Sequence, residues 1–300
     1  MLDLDGVLYL GTDPVAHAAD GVAALRQAGM RAAFVTNNSS RRAAGVAGQL
    51  TGLGIPATAD DVVTSGQAVG RLLAARLAPG STVLVVGTDD LAAEVAGVGM
   101  VPVRSVAEAG GPVAAVVQGL ATTTGWSDLA EACIALRAGA LWIAGNTDST
   151  YPSPRGPLPG NGAMVAALAT ATGQQPIVVG KPEPELHRAS VERVGATRPL
   201  VVGDRLDTDV LGAVRAGADS LLVLTGVTDL AQLLAAGPGT RPTYVGADLR
   251  ALSHPQRPVV VHGDRAVCGS GRATVEQGAV RPGGDSVDDL RAACALAWRA

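Results

Sequence analysis

Aromatic side chains make up only 2% of this 300-residue sequence, and it has only three cysteines. So few rings argue against the stacking platforms on which single-stranded nucleic acids are held. Net charge is −4 and no basic run exceeds Arg41-Arg42, so the basic face of a nucleic-acid binder is missing too. Cys133, Cys268 and Cys294 are odd in number and form no Cys-x-x-Cys, which argues against a disulfide framework. His17, His187, His254 and His262 are scattered without zinc-ligand spacing. Any metal is therefore expected to be hard and held by carboxylates. The longest apolar stretches, such as Val113–Val117 and Leu221–Leu224, are strand-sized, whereas a membrane span needs ~20 residues. The first five residues carry Asp3 and Asp5 instead of the basic and apolar segments of a secretory signal. The expectation is a cytoplasmic protein without a membrane or nucleic-acid partner.

What the chain does have is hydrophobic material, 47% of its residues, enough for a sizeable core. Strand-like runs lie at Arg31–Thr36, Thr82–Val86, Val113–Gln118, Leu141–Ala144, Ile177–Val179, Leu200–Val202, Ser220–Leu224 and Thr243–Val245. Several are apolar without alternation, the pattern of strands covered on both faces of a parallel sheet. Between them come helical stretches at Ala16–Ala28, Arg41–Leu53, Gln67–Arg76, Leu91–Val95, Trp126–Ala138, Gly162–Thr172, Pro184–Val194 and Thr208–Ala216. Glycines such as Gly29, Gly54, Gly139, Gly173 and Gly217 follow at the expected stops. This alternation predicts an α/β fold, a doubly wound and mostly parallel sheet with helices on both sides. From Pro255 onward the pattern changes to short β-like runs (Val259–His262, Arg272–Gln277) and one helix from Ser286 to Arg299. A unit of that size is too small to be very stable alone.

Several common signatures fail. Gly180-Lys181 is followed by Pro182 where a P-loop requires Ser or Thr, and Gly160-Asn161-Gly162 lacks the third glycine of a dinucleotide fingerprint. What remains is a set of polar residues at the C-terminal ends of the predicted strands, the edge at which open α/β sheets bind ligands. Asp3-Leu4-Asp5-Gly6 follows the first apolar residues, and Thr36-Asn37-Asn38-Ser39 closes a strand. Lys181 follows another, and Gly203-Asp204-Arg205-Leu206-Asp207-Thr208-Asp209 a third. Each alone has a bland explanation: a turn, a helix N-cap, a solvated charge, a helix start. The four together, in this order and at strand ends, do not.

These four motifs resemble those of the haloacid dehalogenase-type phosphatases that carry a large cap between the second and third motifs. The cap passages Asn146-Thr147-Asp148 and Leu158-Pro159-Gly160-Asn161-Gly162-Ala163 are similar to that subgroup as well. The resemblance covers residues 1–250. Within the subgroup, the stretch Gly125–Glu131 and the C-terminal appendage look most like the actinobacterial glycerol-3-phosphate phosphatases.

The resemblance implies a Rossmann-like core of residues 1–77 and 180–254, an inserted α/β cap of 78–179 and an appendage of 255–300. It implies Mg²⁺-dependent hydrolysis of a small phosphate monoester, glycerol 3-phosphate foremost. In that reaction Asp3 attacks phosphorus to give an aspartyl phosphate, and Asp5 protonates the leaving alkoxide and then activates water. Mg²⁺ is held by Asp3, Asp204 and the backbone carbonyl of Asp5, with Asp209 behind them to orient Lys181 or a metal-bound water. Thr36 and Asn37 hold phosphate oxygens through hydroxyl and backbone N–H, and Lys181 neutralises the phosphoryl charge. Phosphoglycolate, nucleotides and sugar phosphates are rival substrates, and a phospho-accepting receiver module is the rival of another class. The expected partner is a small phosphorylated molecule, with self-association left open. Only Met1 and Leu2 precede Asp3, against about 5–6 residues in a typical strand, so the natural chain is expected to begin several residues upstream.

Overall fold

The computed structural model describes residues 1–151, 155–156 and 158–299. It is α/β, and among the described residues its ladders are parallel apart from two two-residue antiparallel pairs and the antiparallel sheet after residue 255. The chain forms two compact units, one of residues 1–32, 53–55 and 194 onward, the other of 33–52 and 56–193. No helix of the described residues is long and apolar enough to cross a membrane.

In the first unit, Leu2 pairs in parallel with Val202 of the strand Leu200–Gly203. The Met1 carbonyl accepts from Val202 N–H, and Asp3 N–H donates to the Val202 carbonyl, both at 2.8 Å. Leu200–Gly203 pairs next with Asp219–Val223, and that strand with Tyr244–Gly246. Their inner residues are apolar because both faces are covered there, as the near absence of exposure at Val201, Val202, Leu222 and Val223 records. After Asp3 the chain folds into a tight turn in which Leu8 N–H donates to the Leu4 carbonyl, then a hairpin of Tyr9–Leu10 against Asp13–Pro14. The hairpin was not legible in the sequence, because two-residue strands carry no periodicity.

Residues 255–299 belong to this unit. Four strands, Val259–His262, Arg265–Cys268, Gly271–Glu276 and Ala279–Pro282, form an antiparallel meander, where the sequence suggested only two. The helix Val287–Ala297 is capped by Ser286, whose Oγ accepts Asp289 N–H while the Asp289 carboxylate accepts Ser286 N–H. Leu290 and Cys294 of that helix pack with Leu222, Leu233 and Val245, and Trp298 Nε1–H donates to the Leu233 carbonyl. Ala292, Ala293 and Leu296 pack with Ala266, Cys268 and Ala273 of the meander. The segment is stable in place because its helix shares one core with the parallel strands and another with its own sheet.

The second unit contains a five-stranded parallel sheet in the order Ile177–Val178, Leu141–Ala144, Ala115–Gln118, Thr82–Val86, Val101–Val103. Helices Trp126–Arg137 and Asn161–Thr172 supply Ala132, Ala135, Leu136, Val165 and Leu168 to the core around Trp142. Phe34–Thr36 pairs in parallel with Val62–Thr64, a strand the sequence did not reveal. Its partner being three residues long, the ladder begins at Phe34 rather than at Arg31. Thr64 then caps the helix Ser65–Arg76 by accepting Gln67 N–H.

Candidate active site

In the first unit three acids converge. Asp3 ends the short strand at Leu2, Asp204 follows Leu200–Gly203 directly, and Asp209 lies in the turn after it. One carboxylate oxygen of each lies within 4.8 Å of the other two. Asp204 and Asp209 are each only 1% exposed, so their charges gain little from solvent.

Local geometry explains why these residues fall together. The sequence suggested a helix from Thr208, but Leu206–Val210 is one wide π-helical turn before the helix Leu211–Ala216. Asp209 N–H and Val210 N–H both reach the Arg205 carbonyl, at 3.2 and 3.1 Å. Widening the turn brings the Asp209 carboxylate back to accept Arg205 N–H at 3.1 Å. Glycines make the room. A Cβ on Gly203 would lie 2.2 Å from Asp209 Cγ, and one on Gly226 would lie 2.0 Å from Asp204 Oδ2. Gly6, at φ +82°, would place a Cβ 2.5 Å from the same oxygen. Asp204 is further fixed by accepting Val227 N–H at 2.7 Å.

Asp5 is half-buried, bridged through its backbone to Tyr9, and its carboxylate is not one of the converging three. Thr225 Oγ1 donates to the Gly6 carbonyl at 2.5 Å and pins the loop that carries it.

In the second unit Thr36 closes the strand Phe34–Thr36, and its hydroxyl accepts Asn38 N–H at 3.1 Å. The side chain of Asn37 accepts Lys181 N–H through Oδ1 at 2.6 Å and donates through Nδ2 to the Lys181 carbonyl at 3.1 Å. The Asn37 carbonyl accepts both Ser65 Oγ–H, at 2.6 Å, and Asn146 Nδ2–H, at 2.7 Å. Asn161 in turn donates to the Asn146 carbonyl at 2.7 Å. A Cβ on Gly160 or Gly162 would lie 2.3 Å from the Asp148 carbonyl or 2.2 Å from that of Thr147. Thus the passages Asn146-Thr147-Asp148 and Gly160-Asn161-Gly162 are close-packed braces for Asn37. Sequence reading marked them as similar to the subgroup without a role for any of their residues. Lys181 is 3% exposed. It is also the single lysine of the chain, the other cationic side chains being 22 arginines, a signal in the composition that sequence reading passed over.

His187, on the helix Glu185–Val194, is 1% exposed, and neither ring nitrogen has a hydrogen-bond partner among the described residues. Burial, reinforced by the Lys181 charge, pushes its pKa down to about 3. The unfolded chain, with an ordinary value near 6.5, takes up a proton that the folded chain refuses. Stability associated with this group is therefore complete above pH 6.5 and falls as pH drops from 6.5 toward 3, by about 2 kcal/mol at pH 5. Replacing His187 with leucine should raise the melting temperature more at pH 5 than at pH 7. An equal change at both pH values would show that the imidazole is protonated in the fold.

A family model described as haloacid dehalogenase-like hydrolase matches residues 1–101, and a second, HAD-hydrolase-like, matches 178–252. The chain belongs to the haloacid dehalogenase-like hydrolases. Across its whole length it is 49% identical to the D-glycerol 3-phosphate phosphatase of Mycobacterium tuberculosis, of which it spans 85%. A crystal structure of the glycerol phosphate phosphatase of that organism in complex with magnesium matches with a TM-score of 0.85 at 48% identity, covering 100% of this chain and 90% of the other. A 5'-nucleotidase of Bacillus subtilis is 36% identical over 76% of this chain and 87% of its own.

Proposed function

We propose that this protein is a Mg²⁺-dependent phosphatase acting on a small phosphate monoester, glycerol 3-phosphate foremost, through an aspartyl phosphate on Asp3. The observation that carries the reading is the convergence of Asp3, Asp204 and Asp209. Three carboxylates this close repel one another, and a hard divalent cation relieves that repulsion. The side-chain donors are oxygen only, with no imidazole or thiolate among them, which suits Mg²⁺ better than a softer metal. Asp3, Asp204 and the Asp5 carbonyl are the proposed ligands, with Asp209 beside them. Bound there, Mg²⁺ offsets the charge of the phosphate dianion that a carboxylate nucleophile must approach.

In the proposed reaction Asp3 attacks phosphorus, and the Asp5 carboxyl protonates the departing alkoxide and then takes a proton from the hydrolytic water. Thr36 Oγ1, the Asn37 backbone N–H and the Lys181 ammonium hold phosphoryl oxygens as charge spreads over them. Glycerol 3-phosphate is preferred because the similarity to the mycobacterial enzyme runs through the whole chain, the appendage included. The likeness to a nucleotidase keeps nucleotides as the second reading. We further propose the division into core (1–77 and 180–254), cap (78–179) and appendage (255–300), since all five strands of the larger sheet fall within 78–179.

The test is continuous phosphate release from a panel of small phosphate esters. Glycerol 3-phosphate should turn over fastest, EDTA should silence the protein, and Mg²⁺ should restore it while Zn²⁺ does so poorly. Release that persists in EDTA would refute the metal, and a single stoichiometric phosphorylation without release would favour the receiver.

A further inference from the structure

The chain carries 22 arginines and a single lysine, Lys181, and the two cations differ in shape. Guanidinium is a planar fork, whereas ammonium is a compact point charge on a flexible stem. A point charge on four methylenes is useful to a reacting group only if the backbone from which it springs is held.

The Asn37 side chain supplies that hold. Its Oδ1 accepts Lys181 N–H at 2.6 Å and its Nδ2 donates to the Lys181 carbonyl at 3.1 Å. One planar amide thus grips the donor and the acceptor of a single residue, as a neighbouring strand would. A carboxylate cannot donate and a hydroxyl cannot span both groups. The grip needs close approach. A Cβ on Gly180 would lie 2.8 Å from Asn37 Oδ1 and 2.3 Å from the Gly145 carbonyl.

An amide can flip, and in the flipped state both bonds to Lys181 are lost. Asn37 Nδ2 faces the two oxygens of Asp148 at 3.3 and 3.4 Å. A carboxylate attracts the NH₂ end and repels the carbonyl end, so it selects the state in which Oδ1 meets Lys181 N–H. Asp148 is itself held, its N–H donating to Asn146 Oδ1 at 3.2 Å.

We infer that Asn37 is a positioning residue for Lys181 and that Asp148 orients the Asn37 amide. The effect on turnover rests on the phosphatase reading above; the geometry at Lys181 does not. Because the chain has one lysine, protein labelled with ¹³C at lysine Cε gives a single lysine side-chain signal. In Asn37→Ala that signal should shift or broaden, and in the more conservative Asp148→Asn it should do so to a smaller extent. In a mutant cycle Asn37→Ala should lower kcat roughly 10–100-fold when Lys181 is present. With Lys181→Ala already in place it should lower kcat by no more than about twofold, because a residue acting through Lys181 has nothing left to position. An unchanged lysine signal, or the same loss of kcat in both backgrounds, would overturn the inference. Should Asn37→Ala fail to fold by thermal melt, Asp148→Asn decides by the same two readouts. Where Lys181→Ala turns over too slowly to measure, the lysine signal alone decides. If the unsubstituted protein releases no phosphate, the phosphatase reading falls and the lysine signal still decides the positioning.

Discussion

Asp3→Asn is expected to abolish phosphate release, a loss of roughly 10⁴–10⁶-fold, the scale on which removal of a nucleophile is felt. An amide nitrogen or oxygen does not attack phosphorus at a useful rate, and a neutral amide is a poor ligand for a hard cation. The fold should survive, because what ties residue 3 into the sheet is its backbone N–H to the Val202 carbonyl. In EDTA the variant should melt no lower than the unsubstituted protein, since one of three mutually repelling carboxylates is gone. Phosphate release together with the melting curve checks both halves. Near-normal turnover with an unchanged melt would remove Asp3 from the mechanism.

Asp5→Asn should separate two substrates. Glycerol 3-phosphate leaves as an alkoxide and needs a proton, and loss of the general acid should cost roughly 10²–10⁴-fold. The nitrophenolate of 4-nitrophenyl phosphate leaves unprotonated, so its phosphorylation step should be far less affected. Some common loss is expected, because breakdown of the aspartyl phosphate also uses Asp5. The measurement is kcat/KM for the two esters side by side, and an equal fall in both would assign Asp5 to the loop or the metal instead. Its backbone bridge to Tyr9 and the anchoring of Gly6 by Thr225 should keep the loop in place when the carboxyl is replaced.

The strands Thr82–Val86, Leu141–Ala144 and Val259–His262 were legible residue for residue, because each is a short β-rich run bounded by turn residues. Val62–Thr64 was not: three residues after Asp60-Asp61 become a strand only because Phe34–Thr36 lies alongside. The meander after Pro255 was half legible, since Arg265–Cys268 and Ala279–Pro282 show their alternation only once paired. Helix ends were accurate to about two residues where a cap such as Ser286 announced them. The start at Thr208 was wrong, because no local propensity signals that Asp209 and Val210 will share the Arg205 carbonyl.

What the sequence determined by itself was the chemistry on offer: acids at Asp3, Asp5, Asp204 and Asp209, a hydroxyl at Thr36 and an ammonium at Lys181, each just beyond an apolar run. Those identities follow from side-chain type and strand-end position, both properties of the chain read in order. Tertiary structure alone decided which of them meet. Asp3 comes within 4.8 Å of Asp204 and Asp209 only because Leu2 pairs with Val202 and a widened turn swings Asp209 back. Asn37 grips Lys181 across 144 positions of sequence, held by Ser65 and Asn146 and faced by Asp148. The physical reason is that a hydrogen bond reaches about 3 Å. Whether two groups far apart in the chain fall inside that distance depends on the packing of every element between them, and on the glycines that let those elements approach.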